Sequence, residues 1–307
     1  MDLSVVILNW NAAEETIRCA RAVSAWEHVH ATPWIVDNDS ADDSAELIAR
    51  ELPEAHLICS IENLGYGGGN NQGIAQAMSA GDAPILLLNN DAYIDEQHVV
   101  RLLCALRADE RLGFVGPLLY GSDAGGLLSA GGRDISRHVN SHIQGIRGDG
   151  PIRETAYVPG TVALIRSAVF REVGLFDTDY FFSGEMADLC ERARQHGYAS
   201  AIDTRARAYH AQHDSSDLRD TLYAYYSLRN RFLFVQKFRP SQQVLLHGLW
   251  TLYGLGASLK ARLLNKVARA RALHLAVSDG LRGRFGGQNE RILSVGSVPD
   301  SSGSTGQ

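Results

Sequence analysis

Three apolar runs each end abruptly in amides or carboxylates, and helix-like stretches separate them. Val5-Val6-Ile7-Leu8 leads into Asn9-Trp10-Asn11, Trp34-Ile35-Val36 into Asp37-Asn38-Asp39-Ser40, and Leu86-Leu87-Leu88 into Asn89-Asn90-Asp91. Apolar runs without alternation mark strands buried on both faces, as in a parallel sheet. Residues 12–26 place Ile17, Ala20 and Val23 on one helical face, and residues 41–52 do the same with Ala45, Leu47 and Ile48. Ser40 or Asp42 is the candidate cap of that second helix. Leu57-Ile58-Cys59 reads as a short strand, and residues 68–78 as a further helix. The order β-α-β-α-β-α-β predicts an α/β fold with crossover helices. Residues 112–120 and 160–165 read as later strands that make the sheet mixed. The polar strand ends then share the edge at which open α/β sheets bind ligands. A carboxylate there can hold a divalent metal through hard oxygen ligands. The alternative is a solvated turn, because Asn and Asp favour turns.

Composition narrows the class. At 307 residues and 45% hydrophobic, the chain can bury one large core or two smaller ones. A net charge of -6 gives no general case for nucleic acid. Cys19, Cys59, Cys104 and Cys190 lack metal-ligand spacing, and three of them sit in apolar contexts that suit reduced core residues. No secretory signal and no apolar run long enough to span a bilayer is apparent, so a cytoplasmic location is expected.

The richest polar stretch is Glu62-Asn63-Leu64-Gly65-Tyr66-Gly67-Gly68-Gly69-Asn70-Asn71-Gln72-Gly73. It follows the third strand, whereas a dinucleotide fingerprint belongs at the first strand-to-helix turn. That first turn, Asn9-Trp10-Asn11-Ala12, has no glycine. A nicotinamide dehydrogenase is therefore disfavoured. The glycines permit close backbone approach or positive φ, as a ligand loop or as a flexible turn.

Taken in order, these motifs resemble family 2 glycosyltransferases, most closely the rhamnosyltransferase-like branch. The resemblance continues through Pro159-Gly160-Thr161, Val173-Gly174-x-Phe176-Asp177, Phe181-Phe182-x-Gly184-Glu185, Asp188-Leu189-Cys190-x-Arg192-Ala193 and Tyr225-Tyr226-x-x-Arg229-Asn230, to Gly286. It implies a GT-A fold, a Rossmann-like mixed sheet flanked by helices with a C-terminal helical extension. It implies an inverting, metal-dependent transfer from a dTDP- or UDP-sugar, rhamnose or another deoxysugar, to a glycan, lipid-linked or small-molecule acceptor. The nucleotide-sugar site implied comprises Leu8, Asn9, Asn11, Asp37, Asn38, Asn63, Gly65, Gly69, Asn70, Asn90, Gly160 and Arg229. Asp37 would accept from a base imide or ribose hydroxyl, being acceptor-only when ionised. Capping the next helix is its alternative role. Asn70 and Asn71 have a similar alternative as caps.

Asp91 is the metal ligand implied, with His210 first and His213 second as its imidazole partner. Mg²⁺ or Mn²⁺ suits such a site. Where the family usually reads Gly-Glu-Asp-x-Asp, with the first Asp as base, this chain reads Gly184-Glu185-Met186-Ala187-Asp188. Met186 cannot take a proton, so Glu185 or Asp188 is the expected catalytic carboxylate. The two share a helical face, and Asp188 could equally pair with Arg192 one turn on. The alternative reading is a catalytically weakened module that binds nucleotide or glycan without turnover.

The expected organisation is a catalytic domain over residues 1–215, with a nucleotide half at 1–120 and an acceptor half at 121–215. Amphipathic helices over 216–286 and a disordered tail over 287–307 complete it. Residues 121–150 read as a hairpin or mobile loop over the acceptor. Lys260, Arg262, Lys266, Arg269, Arg271, Arg282 and Arg284, interleaved with Leu and Ala, suggest an interfacial helix at an anionic membrane, at the inner face.

Overall fold

The structure, a computed structural model, describes residues 1–122, 125–146, 150–211 and 217–296. It divides into two compact units, Met1–His213 and Asp214–Gln307. In the first, strands and helices alternate: β1 (Asp2–Asn9), α1 (Ala13–Ser24), β2 (His30–Asp37), α2 (Ser44–Glu51), β3 (His56–Cys59), α3 (Gly65–Ala80) and β4 (Ile85–Leu88). Then follow β5 (Ala92–Tyr93), α4 (Glu96–Ala108), β6 (Leu112–Gly121), β7 (Leu127–Ser129), β8 (Ile152–Thr155), β9 (Val162–Ile165), α5 (Ser167–Val173), α6 (Glu185–Gln195) and β10 (Ala199–His210).

Among the described residues the strands form one sheet in the order β3-β2-β1-β4-β9-β6-β10-β5, with β7 beside β6 and β8 beside β10. The strands β3, β2, β1 and β4 are parallel. β9 runs against both β4 and β6. The expected mixed α/β sheet is therefore present. Its parallel half explains the apolar runs: Val5, Val6, Ile7, Leu86 and Leu87 are fully buried, covered on both faces. Such burial stabilises by roughly 1.5–3 kcal/mol per large aliphatic side chain. Because β1, β2 and β4 point the same way, their polar ends share one edge of the sheet.

Three expectations need correction. The helix expected over residues 68–78 is present but starts earlier, as α3 (Gly65–Ala80), so the glycines lie inside a helix and not in a ligand loop or flexible turn. Only Cys19 and Cys190 are buried, while Cys59 on the sheet-edge strand β3 and Cys104 on α4 are exposed. In the second unit, α7 (Asp217–Phe238), α8 (Gln243–Leu263) and α9 (Val267–Arg282) pack together, and Asn289–Gly296 forms a further helix, α10, against α9. The tail expected from residue 287 thus begins with an ordered helix. Its Asn289 accepts from the Tyr226 hydroxyl at 2.8 Å, and Arg291 donates to Asp279 at 2.8 Å. Residues 297–307 lie outside the described residues, as do parts of the segment 121–150. No helix among the described residues is long and apolar enough to cross a membrane.

Candidate active site

The strand tips are joined by a buried polar chain. Asn9 donates to Asp37 Oδ1 at 2.7 Å, the pairing set by the β1–β2 register that places the two side by side. Ser40 supplies Asp37 with its hydroxyl at 2.6 Å and its backbone N–H at 3.2 Å. The Thr16 hydroxyl donates to Asn9 Oδ1 at 2.7 Å, and Asn90 donates to Thr16 at 3.0 Å. Asn9 and Asp37 are almost wholly buried. Buried polar groups of this kind need such partners, and a fully satisfied network rigidifies its surroundings. Asp37 does not cap α2. The N-cap is Asp43, which makes no side-chain cap bond, and Asp42 just before it accepts from the Ser44 N–H at 3.1 Å in the turn that leads into the helix.

The nucleotide-site residues expected from the sequence therefore separate into groups. Asn9, Asp37 and Asn38 are buried at the strand tips and bonded to protein. Asn38 donates to Asn63 Oδ1 and to the Gly65 carbonyl, both at 3.2 Å, and accepts from Leu64 N–H. Asn63 in turn accepts from Gly65 N–H at 2.9 Å, which starts α3. Asn70 is spent on the Tyr66 carbonyl at 2.8 Å. Asn71 does not cap α3 but clamps Phe176 through both its donor and its acceptor, each at 2.9 Å. Leu8, Asn11, Asn90 and Gly160 keep exposed surface at the strand tips. Arg229 belongs to the second unit, where it is fully buried beneath Tyr225, Tyr226 and Phe285 and donates to the Gly286 carbonyl at 2.7 Å.

Gly65 and Gly69 serve packing. A Cβ on Gly69 would lie 2.5 Å from Leu8, and one on Gly65, at φ +70, would strike Phe181. A Cβ on Gly67 would press on the Phe176 Cβ at 3.2 Å and lie in ordinary contact with the Glu185 Cβ at 3.7 Å, so α3 and the start of α6 are neighbours there.

Asp91 and His210 meet although far apart in sequence. β5 pairs antiparallel with β10, setting Ala92 opposite His210, and Ala211 N–H donates to the Asp91 carbonyl at 2.9 Å. His210 Nε2 lies 3.0 Å from Asp91 Oδ1, both side chains partly exposed. His213 lies outside the described residues.

The third element is the start of α6. Gly184, at φ +101, turns the chain into the helix, and Glu185 and Met186 follow, both buried. Glu185 Oε2 has no hydrogen-bond partner among the described residues. Loss of water pushes its carboxyl up to about 7, reinforced by the charge of Asp188 and opposed by its own backbone N–H. Tyr66 donates to the Gly160 carbonyl at 2.8 Å, and a Cβ on Gly160 would meet both Tyr66 and Met186. The Tyr66 phenol is pushed far up by burial first, then by the charges of Glu185 and Asp91. Tyr66 thus senses both carboxylates.

Asp188, the other expected base, has a different task. It is fully buried and accepts from Arg192 Nε at 2.7 Å. Arg192 also donates to the carbonyls of Val173 and of Leu175. This is the one-turn helical pair that the spacing allowed. Tyr66 and Thr16 were not among the expected site residues, and Ser40 was expected only as a helix cap, whereas its hydroxyl and N–H serve Asp37. Tyr66 stands inside the glycine motif, but Thr16 carries no signal beyond polarity.

The family model described as Glycosyl transferase family 2 matches residues 4–174. The chain belongs to that family. It is similar to the N-acetylglucosaminyl-diphospho-decaprenol L-rhamnosyltransferase of Mycobacterium tuberculosis, at 25% identity over 233 residues, 68% of this chain and 75% of that one. It is also similar to the dTDP-rhamnosyl transferase RfbF of Shigella flexneri, at 24% identity over 264 residues, 82% of this chain and 87% of that one. Among solved structures, the mannosyltransferase PcManGT from Pyrobaculum calidifontis in complex with GDP-Man and Mn²⁺ superposes with a TM-score of 0.55 at 14% identity, covering 96% of this chain and 79% of that one. GalNAc-T7 with UDP, GalNAc and Mn²⁺ also gives 0.55, at 15% identity, covering 73% of this chain, which spans 48% of its length. These likenesses place the sheet in the GT-A fold. The glycosyltransferase carries its polar strand tips, Asp91–His210 and Glu185 in the first unit.

Proposed function

We propose that this glycosyltransferase moves a sugar, rhamnose or another deoxysugar, with inversion, from a dTDP- or UDP-linked donor to a glycan or lipid-linked acceptor. The similarity to two rhamnosyltransferases supports the sugar, and the printed acceptor of the mycobacterial relative supports the lipid link. The observation that carries the chemistry is Glu185, a buried carboxylate with an unpartnered oxygen near the strand tips.

Glu185 acts as the general base. It takes the proton of the acceptor hydroxyl as that oxygen attacks the anomeric carbon, and the bond from that carbon to the diphosphate oxygen breaks. One displacement gives inversion. Because desolvation holds its pKa at about 7, the carboxylate is basic enough to accept a proton, and about half of it is ionised at neutral pH. Tyr66, bonded to Gly160, fixes the wall of the site beside it. The strand-tip polar chain keeps the β1 and β2 ends rigid for the nucleoside.

The residues fit a divalent cation. Asp91 and His210, hydrogen-bonded to one another at 3.0 Å, are the pair that would hold it through a carboxylate oxygen and an imidazole nitrogen. Among the described residues no third His, Cys, Asp or Glu joins them, so diphosphate oxygens and water would have to supply the remaining ligands. When bound, Mg²⁺ or Mn²⁺ would neutralise charge on the departing diphosphate.

A thermal-shift titration with dTDP, UDP and their sugars, with and without Mn²⁺, tests the reading. Binding to the native state stabilises by about 2.7 kcal/mol at a hundredfold Kd. Mn²⁺ should enlarge the nucleotide shift, and Asp91→Asn should abolish that enlargement. An equal Mn²⁺ effect in both proteins removes the metal assignment.

A further inference from the structure

The C-terminal unit carries an apolar face that its own packing does not use. On α8, Leu246, Trp250, Gly254 and Ala261 are buried in the unit. The opposite side is apolar as well. Leu245, Leu252, Leu259 and Leu263 are 73%, 72%, 61% and 77% exposed, with Val244 and Leu249 beside them. Positions 245, 249, 252, 259 and 263 follow the helical repeat, so the exposed leucines form one stripe. A stripe of this size on a soluble surface marks an interaction site.

Where the stripe ends, the charge changes. A cleft of about 330 Å³ opens between α8 and α9, lined by Ser258, Arg262, Arg271, His274 and Ser278. Neither the Arg262 nor the His274 side chain has an ion-pair or hydrogen-bond partner among the described residues. Lys260 and Lys266 are exposed elsewhere on the surface of the unit. Residues 243–286 contain a single carboxylate, Asp279. It is fully buried and bonded to Tyr225 and Arg291. The outer surface of these helices is therefore basic in a chain whose net charge is -6.

We propose that the α8–α9 cleft binds the phosphate of an anionic membrane lipid while the leucine stripe lies in the interfacial layer. This site is separate from the transfer chemistry and does not rest on it. Apolar side chains beside cationic ones on one helix surface are the requirements of an interfacial helix. Each basic group near an anionic leaflet is worth about fivefold in binding. A second copy of the chain offers no carboxylate on these helices to meet the cleft, and a free phosphate has no use for the leucines.

Flotation of the full chain with vesicles of phosphatidylcholine, with and without phosphatidylglycerol, tests this. The protein should float with the anionic vesicles and remain below with the neutral ones. Leu252→Gln/Leu259→Gln and Arg262→Gln/His274→Gln should each cut the bound fraction at least tenfold. All three proteins should keep the same circular dichroism and the same turnover of a soluble acceptor. Inorganic phosphate at matched ionic strength should compete only weakly. Flotation that ignores lipid charge, or that survives the Arg262/His274 change, overturns the headgroup site. Full competition by inorganic phosphate reassigns the cleft to a free anion. A dimer in light scattering that Leu252→Gln/Leu259→Gln dissolves, without vesicle binding, assigns the stripe to a second copy and ends the proposal.

Discussion

Glu185 and Asp188 lie one turn apart on α6, yet their surroundings make them different acids. Asp188 has Arg192 against it at 2.7 Å. Glu185 has a buried oxygen with no donor among the described residues, and burial pushes its carboxyl up to about 7. A base must be ionised, so kcat/KM should fall as pH drops below about 7, and Glu185→Gln should remove that limb. The same change should cost 10²–10⁴-fold in rate, the usual contribution of a positioned base. The charged and titratable groups near this carboxyl are Asp188 on its own helix and Tyr66 on α3. Asp188→Asn should leave the acid limb in place. It should instead lower stability by on the order of 3 kcal/mol, because Arg192 loses its buried counter-charge. Met186→Asp should add little rate if Glu185 already serves. A gain of orders of magnitude would show that the present site lacks a working base.

Helix α3 shows how packing overrides local preference. Gly costs about 1 kcal/mol relative to Ala in a helix interior, and the Gly65-to-Gly73 stretch looks like a loop for that reason. The sheet requires those glycines. A Cβ on Gly73 would lie 2.6 Å from Val6 and 3.1 Å from Val36, so the helix could not sit on β1 and β2 with larger residues. Gly73→Ala should therefore destabilise by about 1–3 kcal/mol, measured by chemical denaturation. Gly81→Ala, where an added Cβ meets nothing within 4 Å, is the control and should be near neutral. The strand-tip acceptors follow the same logic. Asn9 and Asp37 look like ligand groups, but the parallel register sets them against each other, and they bond across the sheet.

At the scale of the whole molecule, the raised Glu185 carboxyl links stability to pH. A group whose pKa is higher in the folded state binds its proton more tightly there. Its contribution is favourable below the unfolded value near 4.5, declines as pH rises from there to about 7, and is lost above. Glu185→Gln removes that loss. The variant should be more stable than the parent at pH 8, by on the order of 3 kcal/mol from a shift of this size. Near pH 4.5 the two should agree. Thermal unfolding followed across that range checks it, and a difference independent of pH would count against the buried-acid explanation. A gain in stability at pH 8 with a loss in rate is the pattern expected of a functional group held at a cost to the fold.

The sequence by itself determined the parallel half of the sheet, because unbroken apolar runs can be satisfied only when both faces are covered. Its ordered motifs likewise determined the family and pointed to Asp91, His210 and Glu185. Only the tertiary structure decided which acceptors face outward. Asn9 and Asp37 turn to one another, and Asp188 turns to Arg192, since a side chain's partner depends on strand register and helix placement rather than on its type. The same is true of Arg229, whose charge sits inside an aromatic cage in the second unit. Residues 289–296, polar enough to read as a tail, become helix α10 because Tyr226 and Asp279 supply partners from distant positions. Hydrophobic burial is local enough to be read along a chain. Polar satisfaction is a matter of which groups meet, and the fold alone settles that.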